Sequence, residues 1–313
     1  MEIIEHSGFK ELLVSFDEFI ELIKPENKKK LGSYINSVNQ KLIFRGQSSS
    51  KYELLPSLFR NTFEYSSFSR SFESLCFLQF SYLKTFVAGC DLNAVPLPND
   101  SYDFRKKYLD EFPDEVVFNS STWPNKALYE LLGFAQHYGY PTELLDWSYN
   151  SLVSCYFAAS GVVEKNASVD DSMSIWVFDL EKINLLNSHK KINFEVIDVP
   201  RSLNLNISAQ RGCFTLIRQS IQRGTPLTYS NDRVNEVKLL NDLMAEKQQN
   251  GLLKITLSNN HVVKLLEFCE NYSINAASLF RGPYGAAKYA IESINLSRFS
   301  SKNGLNLKGA IPL

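Results

Sequence analysis

The stretch from Gln136 to Trp147, Gln-His-Tyr-Gly-Tyr-Pro-Thr-Glu-Leu-Leu-Asp-Trp, constrains this chain more than any other. It gathers amide, imidazole, hydroxyl, carboxylate and indole groups into one turn, where an ordinary helix end needs none of them. The preceding residues, Ala127 to Phe134, read as a helix, with Leu128, Leu131, Leu132 and Ala135 at intervals of three and four. Gly139 and Pro141 stop that helix, and a second apolar run, Leu152 to Ala159, follows. The spacing predicts a cluster of polar side chains at the end of a buried helix. Plain structural roles also fit it: Asp146 before Trp147 as a helix N-cap, Thr142 as a cap, His137 as a helix-end donor, and Tyr138 and Trp147 as packing.

Two distant segments carry similar chemistry. Leu42 to Gln47 reads as a short strand that ends in Arg45, Gly46 and Gln47, and glycine at that point lets a ligand approach the backbone. In Ser208 to Ile217, Gln210 and Gly212 precede a strand-like run. Arginine offers a permanently charged planar fork for phosphate or pyrophosphate, although Arg45 also suits a buried ion pair with Asp146. The amides of Gln47, Gln136 and Gln210 suit a ribose or a carboxamide, and the hydroxyls of Thr142 and Ser148 stand beside Asp146. Such a set suits cleavage of an activated glycosidic bond, as in NAD, where positioning and electrostatics do most of the work.

Taken in order, these pieces resemble the FRG-domain family, whose Phe-Arg-Gly motif stands here as Phe44-Arg45-Gly46. The resemblance takes in Leu54 to Arg60, the Gln136 to Trp147 motif, Gln210 to Phe214 and a tail from Ile274 to Tyr289, and so runs from about Lys41 to about Ala290. Two departures stand out. Glu143 occupies a position where arginine is common, and Arg281-Gly282 replaces a proline and an acidic residue. The resemblance implies a divergent ADP-ribosyltransferase that uses NAD, similar to toxins that modify RNA in antiphage defence and require a neutralising antitoxin. It further implies Arg45, His137, Asp146 and Gln210 as catalytic residues, with Arg45, Gly46, Gln47, Gln136, Tyr138, Thr142 and Gln210 around the nucleotide. A sensor that binds the nucleotide without turnover and an NAD glycohydrolase remain open beside it.

Other chemistries lack their motifs. There is no Cys-x-x-Cys pair, and His137, His189 and His261 sit in unrelated surroundings, so no metal is expected. Gly-x-Ser-x-Gly and Gly-x-x-x-x-Gly-Lys-Ser/Thr are absent as well. The 33 basic and 34 acidic residues leave a net charge of -1, so contact with RNA requires a local patch, for which Arg60, Lys106 and Lys107 are available. Five dispersed cysteines with apolar neighbours read as buried free thiols. The longest apolar run, near Leu152 to Val163, falls short of the ~20 residues of a membrane helix, and Met1 to Lys10 lacks a signal-peptide core, so a cytoplasmic location is expected.

The pattern along the chain predicts one α+β domain over 1–313: an ADP-ribosyltransferase-like mixed sheet assembled from distant strands, with flanking helices and a helical insertion. Ser15 and Glu18 form a capping box before a first helix to about Lys24, and Lys28 to Lys30 read as a loop. Phe68, Phe72, Leu75, Leu78 and Tyr82 mark the insertion, about 61–125. Strands are expected at Ser174 to Leu180, Phe194 to Val199, Cys213 to Ile217 and Leu252 to Leu257, and a helix at His261 to Tyr272.

Overall fold

The computed structural model describes residues 1–60, 70–187, 193–200, 205–230 and 233–305. The start of the expected insertion, with Phe68, and His189 lie outside the described residues.

The chain opens on a hairpin that the sequence pattern did not announce, Glu2–His6 (β1) and Phe9–Leu13 (β2). Gly8 turns it at φ +87, and a Cβ there would lie 2.0 Å from the Asn241 carbonyl oxygen. Ser15 caps α1 (Phe16–Ile23) through the reciprocal box with Glu18. The expected lysine loop is instead a short helix, α2 (Lys28–Ser33), because Pro25 starts a 3-10 turn that the chain continues; Lys29 and Lys30 still face solvent. β3 (Leu42–Gln47) forms where expected.

The insertion is helical as far as it is described: α3 (Phe72–Leu92), α4 (Tyr102–Tyr108) and α5 (Asp114–Phe118). α6 (Tyr129–His137) buries Leu131, Leu132 and Ala135. The chain then enters a strand, β4 (Leu145–Ser148), so Asp146 is no N-cap; Asn150 is, at the start of α7 (Ser151–Glu164). Four residues are too short a run to show strand periodicity, and the pairing partner of β4 lies more than sixty residues further on.

Beyond α7 follow β5 (Ser172–Asp179), α8 (Ile183–Leu186), β6 (Phe194–Ile197), α9 (Leu205–Gln210) and β7 (Gly212–Ile217). A small ribbon, β8 (Tyr229–Ser230) and β9 (Arg233–Val234), precedes α10 (Leu240–Glu246) and β10 (Leu252–Ser258). The chain closes with α11 (Val262–Asn271), α12 (Ala276–Leu279) and α13 (Pro283–Asn303), the last of which the sequence pattern did not announce either.

Eight strands make one mixed sheet in the order β1-β2-β10-β5-β3-β4-β7-β6, in which β2 and β10 run parallel and the other neighbours antiparallel. The fold is therefore α+β, with a sheet drawn from distant segments. Alternation along the strands sends side chains to two cores. Phe44, Ile175 and Val177 pack with Leu152 and Tyr156 of α7, Leu265 of α11 and Phe299 of α13. Ile43, Trp176 and Phe178 go to the other face, with Trp147, Phe194 and Leu243. A third core joins α3, α5 and α6 to Phe214 and Leu216 of β7. All five cysteines are buried thiols.

Candidate functional site

β3 treats its two neighbours differently. It pairs with β5 along its whole length, from Leu42 with Asp179 to Gln47 with Ser174, but with β4 only at Phe44 and Ser148. Trp147 and Asp146 continue instead along β7, opposite Cys213 and Phe214. Where a continued ladder would set Gly46 against Asp146, the Asp146 carbonyl accepts from Arg45 Nη1 at 2.7 Å. A guanidinium thus stands in for the missing ladder bond and keeps that carbonyl satisfied.

The seam opens into a cleft of about 1180 Å³. Its walls come from the residues after β3, the end of α6, the α7 helix, Gln210, Phe280 and the β8–β9 ribbon. Five cations line it, Arg45, Lys51, Arg60, Lys165 and Arg233, against two carboxylates, Glu53 and Asp146. A chain with net charge -1 therefore presents a locally positive cleft.

Two of these cations are closely paired: Arg233 Nη1 lies 2.5 Å from Glu53 Oε2, and Lys51 Nζ lies 2.7 Å from Asp171 Oδ1. The other three bond mainly to neutral oxygens. Arg60 gives Nε and Nη2 to the Leu55 carbonyl. Lys165 Nζ donates to the Ser48 and Tyr52 hydroxyls and rests 4.7 Å over the Tyr52 ring. Arg45 Nη1 is 3.6 Å from Asp146 Oδ2, and Arg45 Nε is buried with no hydrogen-bond partner. Burial pushes the pKa of Arg45 down to about 10, with Arg60 adding to the effect and Asp146 opposing it. Burial also lowers Arg60, again against Asp146. Both arginines stay charged at neutral pH and put two permanent cations on the wall of the cleft.

Asp146 and His137 are the two proton acceptors expected from the sequence, and both reach the cleft. Asp146 is well exposed, and its Oδ1 accepts from Gln136 Nε2 at 2.5 Å. His137 Nε2 is already engaged by the Asn206 amide, whose Oδ1 accepts from the Arg281 N–H at 2.9 Å. With its oxygen held there, Asn206 turns Nδ2 toward His137, so Nε2 is the unprotonated nitrogen. Burial lowers the His137 pKa, Asp146 notwithstanding, which agrees with a neutral ring. Asp146 Oδ2 is thus the more open of the two acceptors.

The remaining expected residues divide. Gln210 lines the cleft, with Nε2 3.3 Å from the Leu279 carbonyl, and its own carbonyl accepts from Ser148 Oγ at 2.7 Å. Gln47 also borders the cleft, but its amide is committed to Trp176 Nε1 at 2.8 Å and the Glu53 carbonyl at 2.8 Å. Gly46 borders the cleft and is also required by packing: a Cβ on it would lie 1.8 Å from the Ser154 carbonyl oxygen of α7. Thr142 is fully buried and Tyr138 is exposed against Phe134, and neither lines the cleft. Trp147 packs, with Nε1 on Thr215 Oγ1. Glu143 points away into the insertion, where Gln79 Nε2 reaches it at 2.6 Å, so position 143 contributes no anion contact.

Sequence reasoning set Arg60 aside as an RNA contact and missed Lys165. Arg60 was findable from the Leu54 to Arg60 segment that directly follows β3. Lys165 carried no such signal, because it reaches the cleft only through the packing of α7 on β3, where a Cβ on Gly161 would lie 2.9 Å from Ser48 Cβ.

Fold and site together define an α+β protein with a positively charged cleft at a sheet seam. Residues 40–167, the segment from β3 through α7, match the family model described as FRG domain. Arg45, Arg60, Gln136, His137, Asp146 and Lys165 all fall within it, whereas Gln210 lies outside. No curated protein and no solved structure matches the chain. Among the described residues no group of three or more His, Cys, Asp or Glu side chains is placed to hold a metal ion, and no helix is long and apolar enough to cross a membrane.

Proposed function

We propose that this protein is an NAD-dependent ADP-ribosyltransferase that modifies nucleic acid, RNA first, and acts as a cytoplasmic toxin in antiphage defence under the restraint of a neutralising partner. The observation that carries the reading is the buried Arg45, with its unpartnered Nε, facing Arg60 in a cleft of about 1180 Å³. That volume exceeds the roughly 300–1,000 Å³ of an ordinary small-molecule pocket, which leaves room for a dinucleotide and an acceptor together.

In this reading Arg45 and Arg60 clamp the pyrophosphate, and Gln210 holds the ribose hydroxyls at the α9 end of the cleft. The bond between the nicotinamide nitrogen and the anomeric carbon breaks, and nicotinamide leaves with the electron pair. An acceptor amino or hydroxyl group forms the new bond to that carbon and gives its proton to Asp146 Oδ2. Lys165 and Tyr52 supply charge and an aromatic face to the acceptor strand.

The test is incubation of the protein with labelled NAD and separate pools of RNA, single-stranded DNA and protein, beside an Arg45→Ala variant. Arg45-dependent label in RNA supports the reading. Free ADP-ribose with no labelled macromolecule replaces it with glycohydrolysis. Binding of NAD without nicotinamide release replaces it with a sensor.

A further inference from the structure

We infer that Thr142, a buried residue outside the cleft, is a positioning residue that fixes the Gln136 amide and thereby dedicates one oxygen of Asp146 to the protein and the other to the reaction. This rests on the role given to Asp146 above. The positions of the protons determine the orientation of the amide. The Leu144 N–H donates to Thr142 Oγ1 at 3.1 Å, which leaves the hydroxyl with one proton to place. Gln136 Oε1 receives it. The Gln136 amide therefore turns its NH2 toward Asp146 Oδ1, 2.5 Å away. The opposite flip would set an amide oxygen against a carboxylate oxygen at that same distance, so both ends of the relay demand one orientation.

The consequence lies in the carboxylate. Oδ1 is occupied by a donor that cannot rotate away, and Oδ2 is left facing Arg45 at 3.6 Å and the open cleft. Thr142 is itself held at both backbone ends by Ser57: its N–H donates to Ser57 Oγ at 3.0 Å, and Ser57 Oγ donates to the Thr142 carbonyl at 3.2 Å. The Leu58 N–H bonds the same carbonyl at 3.0 Å. Ser57 and Leu58 lie just ahead of Arg60 in the chain, so the anion-binding arginine and the proton-accepting carboxylate are referenced to one buried threonine. Thr142 touches no substrate; it sets the geometry of groups that do.

The test compares Thr142→Val, which keeps the shape and removes the hydroxyl, with Thr142→Ser, which keeps the hydroxyl. Two quantities are read on the full chain. The first is hydrogen exchange of the Gln136 side-chain NH2, followed by NMR without ligand; it should quicken about tenfold or more in Thr142→Val and stay slow in Thr142→Ser. The second is nicotinamide release from NAD, where kcat should fall about tenfold in Thr142→Val with KM within about twofold, and Thr142→Ser should restore it. Thr142→Ala removes the same hydroxyl and replaces the valine variant if that one does not fold. Unchanged Gln136 exchange on loss of the hydroxyl overturns the inference, as does equal damage from the serine and valine variants. If the wild-type protein releases no nicotinamide, the transferase reading fails, and amide exchange alone decides the relay.

Discussion

Arg45 holds the backbone of Asp146 and faces its side chain: Nη1 donates to the Asp146 carbonyl at 2.7 Å and lies 3.6 Å from Oδ2. The carbonyl bond spans the seam where β3 and β4 part, so it has a structural reason to persist when a ligand binds. Nε is buried and has no hydrogen-bond partner, while the side chain as a whole borders the cleft. The Asp146 contact and a place on the cleft wall thus belong to one side chain.

Replacing Arg45 tests its assignment to a ligand. Arg45→Lys keeps the charge but loses the fork, and NAD affinity should fall about tenfold or more, as expected for a lost charged hydrogen bond. Isothermal titration with NAD measures it, and an unchanged affinity would sink the assignment of Arg45 to the pyrophosphate.

Arg60→Ala should weaken NAD binding by a similar factor and flatten its dependence on salt, since one of the clamping cations is gone. Binding titrations between about 50 and 300 mM salt, a range over which screening tightens markedly, provide the comparison. A wild-type salt slope in the variant would place the anion elsewhere in the cleft.

The buried Glu143 leads to an expected pH dependence of stability. Burial raises its pKa above the ordinary 4.5, with Gln79 opposing, and one of its oxygens has no partner. A carboxyl whose folded pKa is raised holds its proton better when folded. Its contribution to stability is therefore complete below the unfolded pKa and is lost as pH rises through the folded value. Glu143→Gln should flatten the decline of stability within that window and raise stability above it by roughly 1 kcal/mol. Urea unfolding across pH checks this; a variant with the wild-type pH slope would count against it.

Glycines in two settings should respond in opposite ways. Gly46→Ala forces a methyl group onto the backbone of α7, 1.8 Å from the Ser154 oxygen, and should cost about 3 kcal/mol or more. Gly89, inside α3, has nothing within 4 Å of where a methyl group would sit, and its change to alanine should add about 0.5–1 kcal/mol. Denaturant midpoints decide both.

Much of the site was legible because its parts are locally encoded. The 3.6-residue spacing of Leu128 to Ala135 places His137 and Gln136 at a helix end, and the short apolar run before Arg45 places it at a strand end. The packing demand on Gly46 was not legible, because the atoms that need the space belong to α7, more than a hundred residues away. Asp146 looked like an N-cap because the four residues of β4 carry no period of their own and become a strand only against β7.

From the sequence alone came the side chains with the right chemistry, the helices that bear them and the α+β composition of the domain. Only the tertiary structure decided which of those side chains share a cleft. Hydrophobic periodicity specifies which face of an element is buried, but the partner that buries it is chosen by long-range packing. That choice parted β3 from β4 beyond the Phe44 and Ser148 pair, brought Arg60 and Lys165 to the same cleft as Arg45, and left Tyr138 and Thr142 outside.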